Sequence, residues 1–122
     1  DLINNHFSSM DISTIIDNLQ SDNSNFAKKV ANHLLTRCPA SLAVTCEMFK
    51  RAKNKSFKDC LHMDYHLSQI MTSRDDFIDG VSEVLINKTY KQNWDPNSVK
   101  NIGNKINKYF NAVSSKKLNF DN

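Results

Sequence analysis

Glycine and proline are scarce in this sequence, with two residues of each among 122. Tight hairpins, β-bulges and glycine-rich phosphate loops depend on these residues, so sheet-rich folds and nucleotide-cradling loops are disfavoured. Long apolar runs are also missing, and no stretch approaches the ~20 apolar residues that a membrane-spanning helix requires. The hydrophobic fraction of 39% and the charged fraction of 24% lie near globular averages. We therefore predict one soluble, all-α segment, a small bundle of about five to seven helices.

Cysteine is equally sparse, with only Cys38, Cys46 and Cys60 present. Their number is odd and their spacing matches neither a zinc-binding pattern nor a disulfide framework. We predict reduced, structural thiols, as expected in a reducing compartment. The first residues, DLINNHFSSMD, lack the features of a signal peptide, and there is no initiating Met. We interpret the chain as processed or trimmed from a longer protein.

Apolar residues recur at helical spacing along most of the chain, with polar joints between the repeats. The pattern predicts helices over residues 12–20, 25–37, 40–52, 57–72, 75–87 and 102–112, followed by a frayed tail over 114–122. In the helix predicted over 75–87, four apolar residues are expected to face inward: Phe77, Val81, Val84 and Leu85. Gly80 interrupts that helix at a cost of about 1 kcal/mol relative to alanine, which indicates close packing there.

Two histidines, His62 and His66, lie four residues apart on one face of a predicted helix. Zinc proteases use this spacing in H-E-x-x-H, where the Glu acts as base, but Met63 occupies that position here. A catalytic zinc also requires a third protein ligand, and neither His6 nor His33 has a partner spacing that nominates it. We therefore predict no metal site, and motif spacing assigns no catalytic residue.

Positive charge is concentrated in two stretches, although the formal net charge is only +3. The run KRAKNKSFK, from Lys50 to Lys58, holds five cations and no acid, and from Lys88 onward seven lysines face only Asp95 and Asp121. Such stretches attract the phosphates of nucleic acids or of phosphorylated cofactors. Because no DNA- or RNA-reading motif accompanies them, nucleic-acid binding is disfavoured against a solvated surface.

A series of short motifs runs in order along the chain: P-x-S-L at 39–42, M-[acid]-Y-x-L-S-Q at 63–69, D-F-x-[acid]-G-V at 76–81, VLINK at 84–88, then Trp94 and Pro96. This series resembles the C-terminal region of the 3-hydroxyisobutyryl-CoA hydrolase family, within the crotonase, or enoyl-CoA hydratase/isomerase, superfamily. The resemblance implies hydrolysis of an acyl-CoA thioester in valine breakdown, in mitochondria. The catalytic β-β-α core, with its oxyanion hole and acidic residues, would precede Asp1 and is absent here.

The same resemblance implies a supporting role for this segment. The family's C-terminal helices cover the acyl-CoA site and take part in subunit packing, so the implied partners are an acyl-CoA, a crotonase-type core and a second copy of the chain. In related hydratases the end of the VLINK helix approaches the CoA nucleotide. This makes Lys88, and then Lys91, candidates for CoA phosphate contacts and Trp94 a candidate neighbour of the CoA; the alternatives are solvated lysines and a loop anchor.

One departure from the family pattern leaves other functions open. His66 stands where the family commonly has an arginine, and a largely neutral histidine would weaken any salt bridge made there near pH 7. This departure leaves room for a divergent paralogue. A hydratase or isomerase of the same superfamily is one alternative, because its C-terminal helices share the broad pattern. A second alternative is a non-catalytic paralogue that serves as an RNA- or protein-binding scaffold, because a shared fold does not establish activity.

Overall fold

The structure is a computed structural model, which describes residues 2–120 and contains no strand among them. Seven α-helices follow in order: α1 (Leu2–Phe7), α2 (Ile12–Ser21), α3 (Asn25–Leu35), α4 (Pro39–Ala52), α5 (Phe57–Thr72), α6 (Asp75–Val81) and α7 (Lys105–Asn111). A π-helical turn, Ser82–Ile86, extends α6, and a 3-10 turn, Val99–Asn101, precedes α7. The all-α class is thereby confirmed. None of the described helices is long and apolar enough to cross a bilayer.

Side-chain caps determine where several helices begin. Asp11 accepts a hydrogen bond from the Thr14 amide at 2.8 Å at the start of α2. Ser24 and Ser56 each accept a hydrogen bond from an amide in the first turn of their own helix, at 3.2 Å in α3 and at 3.1 Å in α5. Each cap satisfies one of the amides that the first helical turn leaves free. Pro39 begins α4, where its missing N–H has no consequence.

The core lies where α2, α3 and α4 meet, and Ile102 joins it from the turn before α7. Its buried members are Ile12, Ile15, Ile16, Leu19, Ala27, Ala31, Ala40, Ala43 and Ile102. The four alanines on α3 and α4 allow close approach of the helix backbones, which leaves Leu19 fully enclosed. Each large side chain buried in this way contributes about 1.5–3 kcal/mol to stability.

Some helix boundaries differ from the sequence pattern. Helix α1 was not predicted, and α3 ends at Leu35 rather than at residue 37 because the Thr36 amide turns back onto the His33 carbonyl at 3.3 Å. The helix predicted over 102–112 is shorter and begins at Lys105. Gly103 has a φ of +47°, and this left-handed residue separates the 3-10 turn from α7. Hydrophobic periodicity does not detect a single left-handed residue.

The tail is not frayed over residues 114–120, because it packs along α5. The Gln69 amide donates to the Lys116 carbonyl at 2.9 Å, and its oxygen accepts from the Lys116 amide and the Ser115 hydroxyl, each at 3.0 Å. The Phe120 ring meets the His62 ring edge to face, with centroids 5.1 Å apart. Polar tails are predicted as frayed from composition, whereas these contacts depend on a distant helix. Residues 121 and 122 lie outside the described part.

The expected inward face of α6 is largely exposed. Phe77, Val81 and Leu85 are all exposed, Leu85 to 68%, so their predicted burial was wrong. Together with Ile78 and Ile86 they form a surface that we call the α6 apolar face. Periodicity groups Phe77, Val81 and Leu85 on one stripe of the helix, but it does not show what covers that stripe.

Candidate functional site

A cavity of about 390 Å³ lies between α4, α5, α6 and the loop that carries Trp94. We call it the Trp94 cavity. One end is apolar, lined by Val81, Val84, Leu85 and Trp94, and the other is polar, lined by Cys38, Arg74 and Asp76. A more open groove of about 620 Å³ between α4 and α5 adjoins it and shares Ser41 and Met71. The size and lining of the Trp94 cavity suit part of a small-molecule ligand.

Trp94 packs against α6 at Gly80, where the lack of a side chain leaves room for the indole ring. A Cβ atom at Gly80 would lie 2.8 Å and 2.9 Å from the ring atoms Cη2 and Cζ3 of Trp94. The next residue upstream helps to fix the loop, since the Asn93 amide donates to Asp79 Oδ2 at 3.0 Å. The close packing that the sequence indicated at Gly80 is therefore confirmed. Trp94 anchors its loop and lines the cavity at the same time.

A buried ion pair secures the polar end of the cavity. Arg74 Nη2 donates to Asp76 Oδ2 at 2.6 Å, and the two side chains are 13% and 5% exposed. Both partners also bind the backbone of Asp95. Arg74 donates to the Asp95 carbonyl, and the Asp95 amide donates to Asp76 Oδ2 at 3.2 Å. The Arg74 guanidinium lies 5.1 Å from the centre of the Tyr109 ring, and burial raises the pKa of that tyrosine. The network fastens the Trp94 loop to the start of α6.

Sequence reasoning missed this network. The motif SRDD indicated only acids in the first turn of a helix, where they favour the helix dipole. The structure separates the two acids, because Asp75 is exposed and Asp76 is buried. The position of Arg74 in the sequence does not separate the two acids, because Arg74 is adjacent to Asp75 and yet pairs with Asp76.

Lys88 and Lys91 lie together on a loop that follows the π-helical turn by one residue. Both side chains are exposed, and neither forms an ion pair with another of residues 2–120. Lys88 has a φ of 55° and Tyr90 has a φ of 57°, a left-handed backbone conformation that residues other than glycine rarely adopt. Each residue in this conformation lowers the folding stability by on the order of 1–3 kcal/mol, and the conformation persists only where surrounding groups hold it.

Glu83 supplies those surroundings. Its carbonyl accepts from the Thr89 amide at 3.0 Å and from the Tyr90 amide at 3.4 Å. Its carboxylate accepts from the Asn87 side-chain amide at 2.7 Å and from the Thr89 hydroxyl. The hydrogen bond from Thr89, and then that from Asn87, lower the pKa of Glu83. Sequence reasoning did not single out Glu83, which carries no motif of its own.

The histidines and cysteines make structural contacts. His66 Nε2 lies 3.1 Å from the Tyr109 carbonyl, and His62 packs against the tail. The three cysteines are free thiols, and burial raises the pKa of Cys46. Within residues 2–120, no three His, Cys, Asp or Glu side chains come together in a metal-binding arrangement.

Part of the basic run at 50–58 is engaged within the molecule. Lys50 and Arg51 both pair with Glu47, at 3.6 Å and 2.8 Å. Arg51 also lies 4.1 Å from the centre of the Phe110 ring, and Lys58 lies over the ring of Phe120. The Glu47 carboxylate offsets one of the positive charges that the run would otherwise present to a polyanion.

Comparison with known proteins places these features in a family. The family model described as enoyl-CoA hydratase/isomerase matches residues 1–110. The chain therefore belongs to the enoyl-CoA hydratase/isomerase family, within the crotonase superfamily.

Individual relatives are more specific. The chain is 35% identical over 121 residues to mitochondrial 3-hydroxyisobutyryl-CoA hydrolase of Bos taurus, covering 98% of this chain and 31% of that protein. It is 34% identical over 121 residues to the same protein of Homo sapiens, with the same coverage of each. The relative from Dictyostelium discoideum is 35% identical over 98 residues, which are 79% of this chain and 26% of that protein.

A solved structure shares the helical arrangement. The crystal structure of a carnitinyl-CoA dehydratase from Mycobacterium thermoresistibile matches with a TM-score of 0.83 and 26% identity. The match covers 98% of this chain and 34% of the dehydratase chain. The chain thus spans 31% of the bovine hydrolase and 34% of the dehydratase.

Proposed function

We propose that this chain is the C-terminal helical portion of a 3-hydroxyisobutyryl-CoA hydrolase-like enzyme of valine breakdown. In this proposal the chain covers the acyl-CoA site, and a crotonase-type core hydrolyses the thioester. The observation that carries the proposal is the Trp94 cavity together with Lys88 and Lys91, two exposed lysines on the segment between Leu85 and Trp94 that form no ion pair within residues 2–120. The 35% identity to a 3-hydroxyisobutyryl-CoA hydrolase supports the choice of reaction.

Each part of the site has a role in this proposal. Lys88 and Lys91 contact CoA phosphates, because a lysine ammonium binds phosphate as a point charge without a fixed fork geometry. Trp94 lines the wall beside the ligand. The α6 apolar face packs against the core or a second copy of the chain, since an exposed apolar surface of this kind is stabilised by burial. No residue of this chain performs the chemical step.

The test uses the full-length protein that carries this sequence. Release of the CoA thiol from 3-hydroxyisobutyryl-CoA is followed with a thiol reagent. Lys88→Ala should raise KM about tenfold with little change in kcat, since a charged hydrogen bond to bound phosphate is worth about 1.4 kcal/mol or more. Lys29→Ala, which removes an exposed lysine from α3, is the matched control. Absence of thiol release, or equal KM values in the two variants, would contradict the proposal.

A second candidate reaction is hydration or dehydration of an acyl-CoA, favoured by the structural match to a carnitinyl-CoA dehydratase. The two reactions yield different products, because hydrolysis frees a thiol and hydration leaves the thioester intact. Water addition to an enoyl-CoA without thiol release would select this candidate. The mitochondrial relatives lead us to propose the same location here, which organelle fractionation of the source cells would test.

A further inference from the structure

The loop from Lys88 to Lys91 has a conformation that its own residues do not favour. Lys88 and Tyr90, on either side of Thr89, both occupy the left-handed region, at φ of 55° and 57°. Neither residue is glycine or asparagine, which adopt this region most readily. An exposed loop free of external constraints would relax to negative φ and redirect the Lys88 side chain. Something outside the loop therefore holds it.

Glu83 is the residue that holds it. Its carbonyl accepts from the amides of Thr89 and Tyr90, and its two carboxylate oxygens accept from Asn87 and from the Thr89 hydroxyl. The loop follows the π-helical turn, in which the Asn87 backbone amide donates to the Ser82 carbonyl at 2.9 Å, five residues back. The Glu83 side chain ties together Asn87, at the end of the turn, and Thr89, in the loop, and these are the bonds that a substitution of Glu83 removes.

The Glu83 carboxylate holds the shape of the loop through hydrogen bonds and does not form ion pairs with the loop lysines within residues 2–120. Among residues 2–120, Glu83 forms no ion pair with Lys88 or Lys91, although it is close enough to Lys91 for an electrostatic interaction. Both of its carboxylate oxygens accept hydrogen bonds from neutral donors. The ammonium groups stay available for another anion.

We propose that Glu83 is a positioning residue, which holds the Lys88–Lys91 loop in the conformation that binds the phosphorylated nucleotide end of CoA. This inference rests on the proposed function and deepens it. Glu83 acts through the two lysines and does not touch the reacting thioester. Loss of Glu83 should therefore weaken binding of the nucleotide portion and leave the chemical step unchanged.

The experiment compares two substrates in the full-length protein, an acyl-CoA and the corresponding acyl-pantetheine, which lacks the nucleotide. Glu83→Ala should raise KM for the acyl-CoA about fivefold to tenfold, with kcat unchanged and acyl-pantetheine turnover unaffected. Glu83→Gln keeps a side-chain oxygen that accepts a hydrogen bond, so its KM should stay within about twofold of the parent. Glu47→Ala, on α4 beside Lys50 and Arg51, is the matched control and should leave both substrates unaffected.

A mutant cycle in which Lys88→Ala and Lys91→Ala are combined gives the sharpest result. Once both lysines are gone, adding Glu83→Ala should produce little further change in KM for the acyl-CoA, because the loop then carries no ammonium group for Glu83 to position. Additive effects, or an equal loss of acyl-pantetheine turnover in Glu83→Ala and Glu83→Gln, would overturn the inference and leave the proposed function standing. If CoA does not bind to the unmodified protein at all, the proposed function itself fails.

Discussion

Replacing Gly80 with alanine places a methyl group against the Trp94 ring, with its Cβ 2.8 Å from the ring atom Cη2. Overpacking of a filled site typically costs about 1–3 kcal/mol. The higher helix propensity of alanine offsets about 1 kcal/mol of that cost. The unfolding free energy of Gly80→Ala should therefore fall by about 1 kcal/mol. After Trp94→Ala the same substitution meets only an ordinary contact with Gln92 Cγ, at 3.8 Å, and should raise the unfolding free energy by about 1 kcal/mol.

Urea denaturation followed by circular dichroism measures both changes, with the unmodified protein and Trp94→Ala as references. The sign of the Gly80→Ala effect should reverse between the two backgrounds, a coupling of about 2 kcal/mol. Gly103→Ala is the control: its φ is +47°, but no atom lies within 4 Å of the added Cβ, so its cost should be the same in both backgrounds. A Gly80→Ala penalty that persists without Trp94 would refute the steric explanation.

Two further predictions concern charged side chains. Asp76→Ala leaves the 13%-exposed Arg74 without its partner and should lower the unfolding free energy, measured by urea denaturation, by about 3 kcal/mol. Asp75→Ala, at an exposed position, should change it by no more than about 0.5 kcal/mol. Equal effects of the two substitutions would argue against the buried pair. The amide of Thr14 lowers the pKa of Asp11 below 3.8, so the stabilisation from this cap is complete above pH 3.8 and is lost as pH falls through the folded-state pKa. Asp11→Asn should weaken the fall of Tm below about pH 4, and an unchanged acid limb would contradict this assignment.

Local chemistry accounts for the parts of the fold that sequence anticipated. Apolar spacing marks the stripes of α2 and α3. The caps that the structure adds are equally local, since Ser24 and Ser56 cap helices within three residues of themselves. Met63 likewise explains from sequence alone why the histidine pair is not a zinc-protease motif. These signals act within one or two helical turns, which is the range over which spacing in sequence equals proximity in space.

The candidate site was only partly predictable for the same reason. Lys88, Lys91 and Trp94 were nominated by resemblance, and their roles in binding CoA stay predictions. The pairing of Arg74 and Asp76 with Asp95, 21 and 19 residues away, required the folded chain. So did the assignment of Glu83, because the Thr89 and Tyr90 amides reach its carbonyl only in the left-handed loop that the folded chain forms.

What the sequence by itself determined is the all-α class, the apolar stripes and the family likeness. Only the tertiary structure decided that the stripe on α6 is exposed, that the tail packs on α5 and that Trp94 lies on Gly80. The physical reason is that periodicity records which side of a helix is apolar, while burial depends on which distant segment meets that side.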